Sequence, residues 1–202
     1  FYCYNKIASP IHEHVSYNQF TLKSLLESSV KKRLMSERPI AFFLSGGLDS
    51  SLISAIGAKY LGKIETFSIG IGESPDLKAA KIVSDHIGST HTEVKFTAKE
   101  GLDILRKVIY SLETYDCTTI RASVPMYILS QYVSNNTNYK VILSGEGADE
   151  LFGGYLCFHN APSEQDFQIE TLKFIDNVHA FDVLRADRCT ASHGIELREP
   201  FF

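Results

Sequence analysis

The segment Ile40-Ala-Phe-Phe-Leu-Ser-Gly-Gly-Leu-Asp-Ser-Ser51 constrains this chain more than any other, because an apolar run, a glycine pair and a helix start follow one another without a gap. Ile40 to Leu44 is too short for a helix and shows no polar alternation, so it predicts a strand covered on both faces. Gly46 and Gly47 leave main-chain N–H groups open to an anion. Ser45, Ser50 and Ser51 add hydroxyl donors at the positive end of the helix that Leu52, Ile53, Ala55 and Ile56 continue. A pyrophosphate fits such a cradle. Asp49 would repel phosphate there unless a cation lay between them, and Mg²⁺ is held by one or two carboxylates together with phosphate oxygens. The competing reading is a plain glycine turn in which Asp49 complements the helix dipole.

Other phosphate motifs fail on their residues. Gly57-Ala-Lys-Tyr-Leu-Gly-Lys63 has the spacing of a Walker A loop, but Ile64 stands where a hydroxyl would hold the metal and the match follows a helix. It reads as a helix C-terminus with Gly62 as the stop and Lys59 and Lys63 facing the dipole. Gly145-Glu-Gly147 lacks the third glycine of a dinucleotide fingerprint and carries an acid in the path of a pyrophosphate.

Strand-like and helix-like runs alternate, which predicts a parallel sheet flanked by helices. Helices are expected over Phe20–Leu34, Asp76–Ile87, Thr97–Leu112, Ser123–Val133 and Gln165–Phe181, and strands over Ile64–Gly70, Thr90–Phe96 and Val141–Ser144. The last strand runs into Gly-Glu-Gly-Ala-Asp-Glu-Leu-Phe-Gly-Gly-Tyr155, a second glycine turn carrying Glu146, Asp149 and Glu150. In open parallel sheets ligands lie at the carboxyl ends of strands, so both turns fall on one edge. Three carboxylates there call for cations or a protonation role, unless they form a solvated acidic turn. Cys117-Thr-Thr-Ile-Arg-Ala-Ser-Val-Pro125 is expected as a loop joining two helices. It reads either as a helix cap or, through Thr118, Thr119 and Arg121, as a site for a carboxylate. Arg185 and Arg188 fit both surface helix charges and an active-site wall.

Composition excludes several classes. With 202 residues, 44% hydrophobic and 22% charged, the chain buries a real core, and its net charge of −4 offers no basic field for nucleic acid. Lys31-Lys-Arg33 reads as a solvated helix end. No apolar run spans a bilayer and the amino end lacks signal-peptide layout, so a cytoplasmic location is expected. Cys3, Cys117, Cys157 and Cys189 have no Cys-x-x-Cys spacing and read as reduced thiols, and Cys3 with His12 and His14 lacks a fourth metal ligand.

The Ser-Gly-Gly-Leu-Asp-Ser-Ser turn resembles that of the PP-loop ATP pyrophosphatases (adenine nucleotide α-hydrolase-like architecture). With the second turn, Ser74-Pro-Asp-Leu-Lys78, Thr118-Thr-Ile-Arg-Ala-Ser123 and Asp182-Val-Leu-Arg-Ala-Asp-Arg188, the chain resembles the synthetase domain of the glutamine-hydrolysing asparagine synthetases, from about Phe20 to Phe202. The resemblance implies a carbon–nitrogen ligase that adenylates aspartate with ATP and Mg²⁺, releases pyrophosphate, and lets ammonia displace AMP. It implies nucleoside contacts at Leu44, Ile69, Gly70, Ser144 and Gly145 and pyrophosphate contacts along Ser45–Ser51. Aspartate would meet Thr118, Thr119 and Arg121, the metal Asp49 and Asp149, and Glu146 would handle the proton as ammonia attacks. It further implies an N-terminal glutaminase domain of the same protein, with residues 1–18 as the linker or the end of that domain and 19–202 as a synthetase domain incomplete at its carboxyl end. A homodimer stays open. The family's glutaminase nucleophile is the first cysteine of the mature chain, a position Cys3 does not hold. Alternatives are a β-lactam synthetase-like enzyme, against which Glu146 speaks, a non-catalytic ATP-binding domain, and a sulfur-incorporating tRNA enzyme, for which a basic surface is missing.

Overall fold

The computed structural model describes residues 18–202; the linker expected before Tyr17, with Cys3, His12 and His14, lies outside them. Five strands form one sheet in the order β3-β2-β1-β4-β5, and each neighbouring pair is parallel. They are β1 (Ile40–Phe43), β2 (Glu65–Ile71), β3 (Thr90–Phe96), β4 (Val141–Leu143) and β5 (Glu196–Arg198). Eight α-helices accompany them among the described residues: α1 (Gln19–Arg33), α2 (Leu48–Leu61), α3 (Pro75–Ile87), α4 (Ala98–Leu112), α5 (Cys117–Asn136), α6 (Ala148–Phe152), α7 (Glu164–Asn177) and α8 (Asp182–Ala191). The expected parallel sheet flanked by helices is therefore found.

The uninterrupted apolar run of β1 is used on both faces. Ala41 and Phe43 pack with Phe67, Val94 and Ile142 against Leu129 and Val133 of α5, while Phe42 faces Ile53 and Ile56 of α2 and Val30 of α1. Phe42 is fully buried, and its truncation to Ala would cost about 3 kcal/mol or more. Gly57 lies flat on that ring, where a Cβ would come within 2.3 Å. This glycine lets the helix approach the sheet. Behind α5, Val108 and Leu112 of α4 and Cys189 of α8 close a further apolar cluster with Ile120 and Tyr127.

Three expectations need correction, and one element is new. Cys117–Pro125 is not a loop: α5 begins at Cys117, because the Asp116 carboxylate accepts from the Thr119 N–H at 2.7 Å and caps it. The helix then runs through Pro125, which only deprives the Arg121 carbonyl of its i+4 partner. The helix expected to reach Phe181 ends at Asn177, and Val178–Ala180 tightens into a 3-10 turn. Of the apolar stripe on α1, Val30 is buried but Phe20 and Leu25 are largely exposed, since α2 covers only the second half of that helix. Strand β5 is an addition: three polar-rich residues that become a strand because β4 offers them an edge.

Candidate active site

The sheet order fixes where a site can form. From β1 the chain moves outward to β2 and β3, then returns to the other side of β1 for β4 and β5, so the crevice at the carboxyl ends of β1 and β4 is the switch point where α/β sheets bind ligands. The two glycine turns leave β1 and β4 at that crevice and touch. A Cβ on Gly145 would stand 2.6 Å from the Ser50 nitrogen and 2.8 Å from the Asp49 carbonyl carbon. Only a glycine there lets the second turn rest on the first turn of α2.

Between the turns, α5 and α8 lies a cavity of about 920 Å³. Its wall brings together Leu44, Ser45, Gly47, Asp49, Ser50, Ile69, Thr118, Thr119, Arg121, Ser144, Gly145, Glu146 and Asp149, out of the residues singled out from sequence. Gly46, Ser51 and Gly70 are outside it. Gly46 has φ +82° and lies against α3, where a Cβ would be 2.4 Å from the Ala80 nitrogen. Its role is therefore to seat the turn. Ser51 spends its hydroxyl on the Gly47 carbonyl at 2.6 Å, and Gly70 is pressed on Ser74 and Leu77. Strand alternation orients the open edge of β2: Leu44 N–H donates to the Phe67 carbonyl at 2.8 Å, so the main-chain groups of Ile69, two residues on, also aim to the β1 side, where β1 has ended.

The first turn is a web of hydroxyls. The Ser45 N–H donates to Ser50 Oγ at 3.2 Å and the two hydroxyls are 2.9 Å apart. Asp49 stands at the start of α2, and its carboxyl lies above the usual carboxylate range, because burial disfavours the charge and the Asp149 carboxylate repels it.

The second turn holds its acids differently. Glu146 is charge-paired with Arg185 at 2.5 Å, and Arg185 also meets Asp182 at 3.0 Å. Burial raises the Glu146 carboxyl, against the pull of Arg185. Glu150 is 2% exposed and accepts from the Tyr155 hydroxyl, and burial raises both groups.

Sequence reasoning left the two arginines of α8 undivided, and the fold separates them. Arg185 lines the cavity; Arg188 donates to the Leu112 carbonyl and pairs with Glu113 at 2.9 Å, closing the end of α4. Missed altogether were Tyr155, Asp182 and the apolar wall of Phe43, Phe67, Met126, Phe174 and Phe181. Tyr155 closes the second glycine turn, and that position was the available signal.

Among known proteins, the Asparagine synthase family model matches residues 21–174. Asparagine synthetases (glutamine-hydrolyzing) of Bos taurus and Homo sapiens are each 53% identical over 186 residues, which cover 89% of this chain and 33% of theirs. The chain thus spans about a third of the length of these curated relatives. An NH3-dependent NAD synthetase of Campylobacter jejuni, solved with a nitrate ion, aligns with 81% of this chain and 77% of its own at TM-score 0.45 and 15% identity.

Proposed function

We propose a function from one premise: the chain belongs to the Asparagine synthase family. In our reading it is the synthetase part of an enzyme that amidates aspartate to asparagine. The aspartate side-chain carboxylate attacks the α-phosphorus of ATP, and the bond to the bridging oxygen breaks to release pyrophosphate. Ammonia then adds to the acyl carbon of β-aspartyl-AMP, AMP leaves, and the nitrogen loses a proton. The observation that carries the reading is the contact between the two turns, donors on one side and carboxylates on the other, across a single cavity.

Each step has residues suited to it. The hydroxyls of Ser45 and Ser50 and the N-terminus of α2 suit the polyphosphate. Thr118, Thr119 and Arg121, on the cavity side of α5, suit the carboxylate of aspartate, which a guanidinium grips through two parallel hydrogen bonds. Glu146, raised by burial and steered by Arg185, suits the proton lost as ammonia attacks. Asp49 and Asp149 fit magnesium: the Asp149 carboxylate makes Asp49 harder to ionise, a cation between them would remove that cost, and phosphate oxygens would complete the shell. When bound, the metal would neutralise charge on the polyphosphate. Glutamine as nitrogen source, a glutaminase domain of the same protein and a cytoplasmic location belong to the same proposal. No helix among the described residues is long and apolar enough to cross a membrane.

The test uses free ammonium as nitrogen source. Glu146→Gln should retain aspartate-dependent exchange of labelled pyrophosphate into ATP and lose asparagine formation by roughly a hundredfold. If exchange and synthesis fall together, Glu146 does not belong to the ammonia step; an unaltered protein that catalyses no exchange would overturn the adenylation itself.

A further inference from the structure

His91, on β3, takes no part in the reaction proposed above, yet both of its ring nitrogens are engaged by neighbours on β2. Nδ1 is 2.8 Å from Thr66 Oγ1 and Nε2 is 2.9 Å from Ser68 Oγ. Thr66 Oγ1 is in turn 2.9 Å from Ser89 Oγ, which donates to Ser84 Oγ at 2.9 Å. The Ser84 hydroxyl donates to the Ser89 carbonyl at 3.3 Å. Ser68, at the other end of this chain of groups, lines the large cavity between Phe67 and Ile69.

The direction of every proton in the chain follows from counting, since a hydroxyl has one proton to give. Ser89 gives its proton to Ser84, so it accepts from Thr66. Thr66 has then spent its own proton and must accept from His91, which places the hydrogen on Nδ1. Nε2 is left as a lone pair. It accepts from Ser68, whose proton is thereby drawn into the protein. What remains on the Ser68 oxygen is lone-pair capacity alone. Burial lowers His91 below its ordinary range, which keeps the ring neutral and this polarity in force; Glu93, Asp85 and Lys81 are the charges that act on it.

We propose that His91 is a positioning residue that makes Ser68 an obligate hydrogen-bond acceptor in the cavity wall, selecting a nucleotide that brings an N–H or O–H donor to this point. The inference rests on the ATP-binding reading above. On a purine nucleoside the donors are the exocyclic amino group at C6 and the ribose hydroxyls. A 6-oxo purine, which presents an acceptor there, would be refused if the amino group is the one read.

Two measurements test it. Heteronuclear NMR of the imidazole nitrogens, without ligand, should show a neutral His91 protonated at Nδ1; an Nε2-protonated ring overturns the proposal. Calorimetric titration should show Ser68→Ala and His91→Phe each binding ATP roughly fivefold more weakly. That loss should vanish when the nucleotide lacks the donor: purine riboside triphosphate if the amino group is read, 2′-deoxy- or 3′-deoxy-ATP if a hydroxyl is. His91→Gln should restore most of the affinity, because its amide can donate to Thr66 and accept from Ser68. Equal losses for ATP and for all three analogues would overturn the proposal and leave the network a structural one. An unaltered protein that binds no ATP removes this inference together with the proposed function, whereas one that binds ATP with unchanged affinity in Ser68→Ala removes this inference alone.

Discussion

The two glycine turns are built alike and furnished oppositely. Each follows a buried strand and leads into a helix, but the first satisfies itself with small hydroxyls, whereas the second keeps a half-buried Glu146 beside Arg185 and a buried Glu150 beside Tyr155. The first turn is cheap to hold together and leaves its donors for a ligand. The second holds charge that the fold must neutralise continuously, and α8, packed on α4 and α5 through Cys189, brings Arg185 to it. An anion site can be local, set by a dozen consecutive residues; an acid site needs a counter-charge from elsewhere in the chain.

The largest break in that contrast is Arg185→Met, which leaves Glu146 and Asp182 half-buried without their cation. Removing one partner of such a pair should cost about 3 kcal/mol in denaturant unfolding. Adding Glu146→Gln should return part of it, as a double-mutant cycle would record. A loss no larger than that of a surface substitution would mean the second turn carries its charge without help.

A smaller effect separates the contact between the turns from the open face of the first. Gly145→Ala should destabilise by about 2 kcal/mol, because its Cβ meets main chain. Gly47→Ala, whose Cβ meets only Ser45 Oγ at 3.4 Å, should change stability by about 0.5 kcal/mol or less. Equal Tm shifts for the two would dissolve the distinction.

The smallest effect concerns pH. The folded state raises the Asp49 carboxyl above its unfolded value, chiefly through burial and then through Asp149. Its contribution to stability is therefore full below the unfolded pKa and lost as pH rises through the folded one. At neutral pH the ligand-free Asp49→Asn protein should be more stable than the parent by about 0.5 kcal/mol, allowing for solvent screening. That gain should disappear in acid. The same variant should bind ATP with magnesium more weakly, and unchanged affinity by calorimetry would remove Asp49 from the metal site.

What the sequence made legible was what local pattern encodes. Strand β3 lies over Thr90–Phe96 as expected, and both turns are at the crevice because strand, glycines and helix start are consecutive. What it hid depends on partners far along the chain. Glu196–Arg198 has no strand pattern of its own and is one only beside β4. Arg185 and Arg188 are three residues apart on one helix, and only the packing of α8 against α4 and the second turn sends one to the cavity and the other to Leu112. Cys117–Pro125 carried no helical pattern, but Asp116 caps α5 at its start, and a helix of twenty residues absorbs the single hydrogen bond lost at Pro125.

The early end of β1 has a consequence for how this protein tolerates change. Because β2 continues past Phe67 with β3 as its strand neighbour, the groups that face the crevice at Ile69 are main chain. A flat heterocycle docking there would stand in for the missing stretch of β1, and at Ile69 it would meet atoms that every amino acid carries. Substitutions at Ile69 could therefore accumulate without altering what is recognised, while a lengthening of β1 by two residues would close the slot with no change to any side chain in it.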